Sequence, residues 1–209
     1  MNKIFLRGSI RNIRPSHKIN DVDFDQADII TKRKDGREDI LTVKFKRFSN
    51  FYRENDIVEL VGNIRSFSKQ VNGKNKVDIY TFTYFDKQED FIEPNNLVEI
   101  DGRICKMEDL RVLSNGKHNI HFILANNLLL KEQKLNSYIP CIAWGRTAKA
   151  ISKLSVNDVI SIKGELHSRE YKKVLDDGSV EFRVAHELYV EEFTVKDASE
   201  FWLFYCSSS

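Results

Sequence analysis

No apolar run in this chain approaches the roughly 20 residues that a membrane-spanning helix needs. Residues 1–7, MNKIFLR, lack the apolar core of a secretory signal, so a cytoplasmic location away from membranes is expected. Cysteines are few, odd in number and far apart: Cys105, Cys141 and Cys206. With no CxxC and no Cys/His metal spacing, they read as reduced thiols. The five histidines, His17, His118, His121, His167 and His186, form no ligand set; His118 and His121 are three apart and on a strand point to opposite faces. The acids Asp21, Asp23 and Asp25, and the pair Asp176 and Asp177, look like loop or strand-edge charge. A Gly-rich phosphate loop and an activated nucleophile are both missing. The expectation is a protein with no catalytic residues, no metal and no cofactor.

What is present fits an ordinary globular chain. Hydrophobic residues make up 41% of the 209 and charged residues 31%, far from the composition of a disordered chain. Net charge is +2, but it is uneven. Residues 1–88 hold 18 Lys and Arg against 12 Asp and Glu, whereas residues 89–209 hold 15 against 19. A basic half attracts phosphate, although solvated surface charge explains either imbalance taken alone.

The chain also repeats itself. NKIFLRGSI at 2–10 aligns with NLVEIDGRI at 96–104, and NDIVELVGNIRS at 55–66 aligns with NDVISIKGELHS at 157–168. Two matches in the same order imply two copies of one plan. The segment 86–96, with Pro94 and several acids, is the natural linker, giving domains at 1–88 and 96–195 and a tail at 196–209. Each half reads as five strands: 3–13, 22–30, 40–45, 56–67 and 76–84 in the first, and 97–106, 118–126, 138–144, 158–168 and 180–195 in the second. A short helix precedes the fourth strand in each, near 49–54 and over 147–154, where Thr147 can cap the second. Asn72-Gly73 and Asp177-Gly178 turn the last hairpins. Five strands with a helix between the third and fourth define the OB-fold, a small Greek-key barrel. The fold class expected is all-β with short helices, as two tandem OB-fold barrels. Gly8, Gly62, Gly102 and Gly164 lie inside strands, where glycine marks a barrel bend.

Alternation along 138–144 decides which face is open. Ile139, Cys141 and Ala143 share one side and suit a tight interior; Tyr138, Pro140, Ile142 and Trp144 share the other. Outward aromatics either stack on bases or are covered by a partner subunit or the other domain. Tyr171 follows Arg169 and precedes Lys172 and Lys173, while Arg146 and Lys149 follow Trp144. Aromatics interleaved with basic residues suit single-stranded nucleic acid, though exposed lysines also serve solubility. In the first half Leu41, Val43 and Phe45 point in, and Ile40, Thr42, Lys44 and Lys46 point out. There, with Lys69 nearby, the pattern implies phosphate tracking with little stacking, or a merely solvated face. Phe48, Phe51 and Tyr52 suit the packing of helix on barrel.

Three segments of the second half, 96–104, IPCIAWG at 139–145 followed by Thr147 and Ala148, and GELHSREY at 164–171, resemble the bacterial-type single-stranded DNA-binding proteins. A similarity to the related primosomal replication protein N is also visible. The resemblance implies stacking aromatics at Tyr138, Trp144 and Tyr171, phosphate contacts from neighbouring Lys and Arg, and a homodimer supplying four OB-folds. A further stacking position of that family falls near Leu128 and Leu129, which are not aromatic. Its acidic tail with an apolar tip has no counterpart in SEFWLFYCSSS at 199–209, so partner recruitment by that route is not expected.

The function expected is therefore sequence-tolerant binding of single-stranded DNA in replication, recombination or repair. The alternatives are a primosome-type or RNA-binding OB module acting mainly through protein contacts, a nucleic-acid-processing enzyme, and a pure scaffold.

Overall fold

The protein is described by a computed structural model covering residues 1–47, 52–71, 74–83, 95–130, 133–175 and 178–197. Five strands occupy the first half: β1 (Asn2–Ile19), β2 (Val22–Lys32), β3 (Glu38–Lys46), β4 (Ile57–Val71) and β5 (Lys74–Thr83). The second half holds β6 (Asn96–Met107), β7 (Arg111–Val112), β8 (His118–Leu130), β9 (Gln133–Trp144), α1 (Gly145–Ile151), β10 (Val159–Val174) and β11 (Val180–Lys196). The strands run longer than their hydrophobic pattern predicts, because hairpin partners keep bonding past the barrel: β1 and β2 stay paired out to Ile19 and Val22, across register shifts between Arg11 and Arg14 and between Pro15 and His17.

Two compact units result. The N-terminal unit comprises Lys3–Leu97 together with Leu166–Glu187; the C-terminal unit comprises Met1–Asn2, Val98–Glu165 and the chain from Leu188 onward. The expected linker at 86–96 lies mostly outside the described residues, as do Phe48, Phe51, the Asn72-Gly73 turn and the tail beyond 197. Of the predicted helical piece at 49–54, the described residues 52–54 are not helical.

In the N-terminal unit the strand order is β2-β3-β5-β4-β1, with β1 pairing back to β2. In the C-terminal unit it is β6-β10-β11-β9-β8, with β6 pairing back to β8. Each is a closed five-stranded barrel with the third and fifth strands parallel, Val43 opposite Thr81 and Ala143 opposite Val190. The architecture is that of two OB-folds. Alternation fills both interiors as the sequence implies: Leu41, Val43 and Phe45 are buried in one, and Ile139, Cys141 and Ala143 in the other.

The repeat at the start of the fourth strand has a physical meaning. Asn55 and Asn157 both take left-handed backbone angles, φ 72° and 83°, which asparagine tolerates better than most residues. In that pose the Asn55 N–H donates to the carbonyl of Ile10 at 2.8 Å, and Ile10 N–H donates to Asp56 O at 2.9 Å. Asn157 and Asp158 make the same bridge to Ile104, also at 2.8 and 2.9 Å. The aspartate carboxylates close the turn, accepting from the N–H of Arg53 at 2.9 Å and of Ser155 at 2.8 Å. Strand one and strand four are thereby pinned in the same register in both barrels.

Glycines within strands permit the tightest backbone approaches. A Cβ on Gly62 would sit 2.3 Å from Phe82 O, and one on Gly164 would sit 2.0 Å from Tyr189 O. A methyl group there must push two strands of a closed barrel apart. Gly164→Ala is expected to destabilise the chain by about 1–3 kcal/mol, the range for overpacked cores, read as a lowered urea midpoint with the m-value unchanged.

Candidate nucleic-acid interface

β9 carries Tyr138 and Trp144 on its outward side, six residues and about 20 Å apart by strand rise. Tyr138 is open, with 45% of its surface exposed, and Trp144 is half-buried. Between them Ile142 was expected to face outward, yet only 8% of it is exposed. The register explains this: β8 places His121 on one side of Ile142 and β11 places Tyr189 on the other. Tyr189 is thus a further ring on this face. Its position was not read from the sequence because it depends on a parallel pairing between strands more than forty residues apart.

Trp144 is also the residue at which β9 becomes α1. It keeps extended angles, φ −127° and ψ 155°, and Gly145 turns the chain with φ 56°. The expected capping by Thr147 does not occur. The helix starts two residues earlier, at Gly145, so Thr147 lies within its first turn and donates its hydroxyl to Glu191 O at 3.3 Å. Ala148 and Ile151 face inward, leaving Arg146 and Lys149 exposed, three residues apart on one helix flank. Trp144, Arg146 and Lys149 are therefore brought together by one short turn of chain.

The third expected ring, Tyr171, falls in the β10–β11 ribbon, which groups with the N-terminal unit. Arg169 holds its guanidinium 6.0 Å from the ring centre and also bonds Glu187 at 3.4 Å. Lys172 sits 5.4 Å from the ring of Phe182, an unanticipated aromatic with 68% of its surface exposed. Lys173 is half-buried. Asp176 and Asp177 lie outside the described residues; beside them Leu175 N–H bonds Ser179 O at 2.8 Å and Gly178 takes φ 81°.

A buried polar network anchors the ribbon within its unit. Asp39 on β3, with none of its side chain exposed, accepts from Arg33 Nε at 2.7 Å and from the backbone N–H of Ser168 at 2.6 Å. Ser168 Oγ accepts from Ile40 N–H at 2.9 Å, and His186 Nε2 donates to Ile40 O at 2.8 Å. Burial alone would raise the Asp39 carboxyl; the hydrogen bonds from Arg33 and Ser168 and the charge of His167 outweigh it and hold the group below its ordinary value. Burial lowers the pKa of His186, against the opposing hydrogen bond to Ile40.

The expected lysines of the first barrel are less uniform than the sequence suggests. Lys46 is exposed, and the Lys69 side chain lies outside the described residues. Lys44 is half-buried, its Nζ 4.2 Å from the centre of the Tyr80 ring. Tyr80 and Phe82 on β5 and Phe24 on β2 line the outward side on which the sequence showed Ile40, Thr42, Lys44 and Lys46. These rings were missed because the alternation was read along β3, whereas they arrive from its neighbours.

Residues 95–195, just under half of the chain, match the Single-strand binding protein family. The chain is also similar in fold to two crystal structures from Thermus aquaticus. One, a deletion variant of the single-stranded DNA-binding protein, superposes with a TM-score of 0.70 at 15% identity, covering 94% of this chain and 95% of that one. The wild-type protein gives 0.68 at 14%, covering 94% and 93%. No curated protein matches the chain in sequence.

The Asp39 network has a pH signature. A carboxyl lowered in the folded state contributes stability that is complete above its unfolded value, about 3.9, and lost as pH falls through the folded value. Urea midpoints should hold steady from about pH 7 to pH 5 and drop below about pH 4. Asp39→Asn should cost about 3 kcal/mol at neutral pH, since it strands a largely buried Arg33, and should flatten the acid limb. An unchanged acid limb in that variant contradicts the assignment.

Proposed function

We propose that the chain binds single-stranded DNA without strong sequence preference, as a non-enzymatic protein of replication, recombination or repair. The observation that carries this reading is the arrangement at the end of β9. An accessible Tyr138, the half-buried Trp144, and Arg146 and Lys149 one helical turn further on lie in the barrel that matches the single-strand binding protein family. Every base has a π-face, so stacking on Tyr138 and Trp144 accepts any sequence. Arg146 and Lys149 meet the phosphates beside Trp144. Tyr171, Arg169, Lys172 and Lys173 supply a further ring and positive charge on the ribbon, and Lys44, Lys46 and Lys69 extend the charge over the first barrel. A homodimer presents four OB-folds, the number the family resemblance implies, and a cytoplasmic site of action goes with DNA as ligand.

A second reading is favoured by one observation. Val174, Val180 and Phe182 are all exposed on the ribbon, as on a module that works mainly through protein contacts. RNA as the preferred ligand is the other rival.

Anisotropy of labelled oligo-dT decides among them. The chain should bind the single strand far more tightly than duplex, and matched RNA should compete weakly. Affinity should fall with log salt at a slope of about −0.7 per phosphate neutralised. Trp144→Ala should cost about 1–3 kcal/mol, roughly 5- to 150-fold in Kd. Undiminished affinity in Trp144→Ala removes the stacking role, and no binding of single strands at low salt leaves the protein-contact reading.

A further inference from the structure

The row of side chains that begins at Trp144 runs on across two more strands. Trp144 on β9 stands directly opposite Asn119 on β8, and Asn119 stands opposite Arg111 on β7. Directly opposed residues of an antiparallel pair share a face, with Cβ atoms about 5 Å apart. A ring, an amide and a guanidinium are thereby set side by side on the C-terminal barrel. Alternation puts Asn119 on the outward row with His121 and Ile123, since Ile120, Phe122 and Leu124 fill the interior. Yet only 6% of Asn119 is exposed, and its Oδ1 is sealed from water with no hydrogen-bond partner among the described residues. The guanidinium of the row is engaged elsewhere, by Glu108 at 2.6 Å.

Folding alone gives no reason for an amide here. A buried acceptor left unpaired lowers stability, and an apolar side chain of similar size would not. Valine also suits a strand better than asparagine. The neighbouring ring does supply a reason. A base stacked on Trp144 lies flat against the indole, so its edge faces sideways, toward the residues that flank the ring in the row. Proteins that recognise unpaired bases combine stacking on a ring with hydrogen bonds to the edge used in pairing. Every base carries an N–H on that edge, and in a duplex the opposite strand takes it up.

We propose that Asn119 reads the pairing edge of the base held on Trp144: its Oδ1 accepts the N–H that an unpaired base leaves free. The oxygen lies out of water in the free chain, so the bond forms once the side chain turns toward the base. The ligand class is a nucleobase with an unblocked pairing edge, whichever base it is. A thymine methylated at N3 has lost its only donor on that edge and is held less well at this position. The inference rests on the reading of Trp144 as a stacking ring. It goes beyond that reading by adding a selective contact where stacking alone is indifferent to the edge.

The test uses the full chain and oligo-dT of about 12 nucleotides, within the span of one OB-fold, beside the same oligomer carrying N3-methylthymine throughout. The wild type should bind plain oligo-dT about tenfold more tightly, the worth of one hydrogen bond made in a dry site. In Asn119→Val the ratio of the two affinities should be several-fold smaller. Asn119→Ala, which cannot overpack the position, should show the same fall. The urea midpoint of Asn119→Val should be no lower than that of the wild type, because an unpaired acceptor has been removed. The edge contact is overturned if the wild type shows no preference for plain oligo-dT, or if neither variant changes the ratio; a lowered midpoint with an unchanged ratio assigns Asn119 to packing alone. Trp144→Ala, run alongside, separates the outcomes. Its loss of affinity, with a ratio that ignores Asn119, sinks this inference alone. Equal affinity of Trp144→Ala and wild type for plain oligo-dT sinks the stacking reading, and the edge contact with it.

Discussion

Both barrels depend on backbone closure at one place. The first strand must bond to the residue that starts the fourth, and the fourth must pass the fifth at a distance no side chain allows. Asn55 and Asn157 supply the left-handed turn, Asp56 and Asp158 lock it, and Gly62 and Gly164 open the gap for the carbonyls of Phe82 and Tyr189. These are unfavourable or demanding local geometries, and they are met by the same residue types 102 positions apart. Closure leaves each strand with one buried and one outward row, and the candidate rings and cations lie on the outward rows.

The two outward faces assemble rings and cations differently. On the C-terminal unit an aromatic strand runs directly into a basic helix, so rings and charges follow one another in sequence. On the N-terminal unit rings and cations come from five separate strands and lie on top of each other. The ribbon that carries Tyr171 is anchored in that unit through hydrogen bonds that link Asp39 to Ser168 and both Ser168 and His186 to Ile40. Buried polar groups are costly unless fully paired. Here they fix where the ribbon meets β3, at Ile40, four residues before Lys44.

Much of the fold was legible in the sequence because period-two alternation, in-strand glycines and the internal repeat are all local patterns. Strand cores, barrel interiors and the pair of OB-folds follow from them. The candidate site was legible only where its residues are continuous in sequence, as from Tyr138 through Lys149. Tyr189, Tyr80, Phe82 and Phe24 escaped because non-local pairing brings them to the face, and a single strand read alone cannot show its neighbours. Thr147 misled for a related reason: a threonine before an apolar periodic run looks like a cap, but Gly145 with positive φ starts the helix earlier. The grouping of the ribbon with the N-terminal unit had no sequence signal, since Arg33, Asp39 and Ser168 are unremarkable until the fold brings them together.

The central claim is that the outward rings of these barrels hold unpaired bases. A crystal structure of the full chain with bound oligo-dT tests it most directly. The account predicts bases lying flat on Tyr138 and Trp144, with phosphates beside Arg146 and Lys149. An oligomer bound away from β9, with both rings sealed beneath protein, would contradict it.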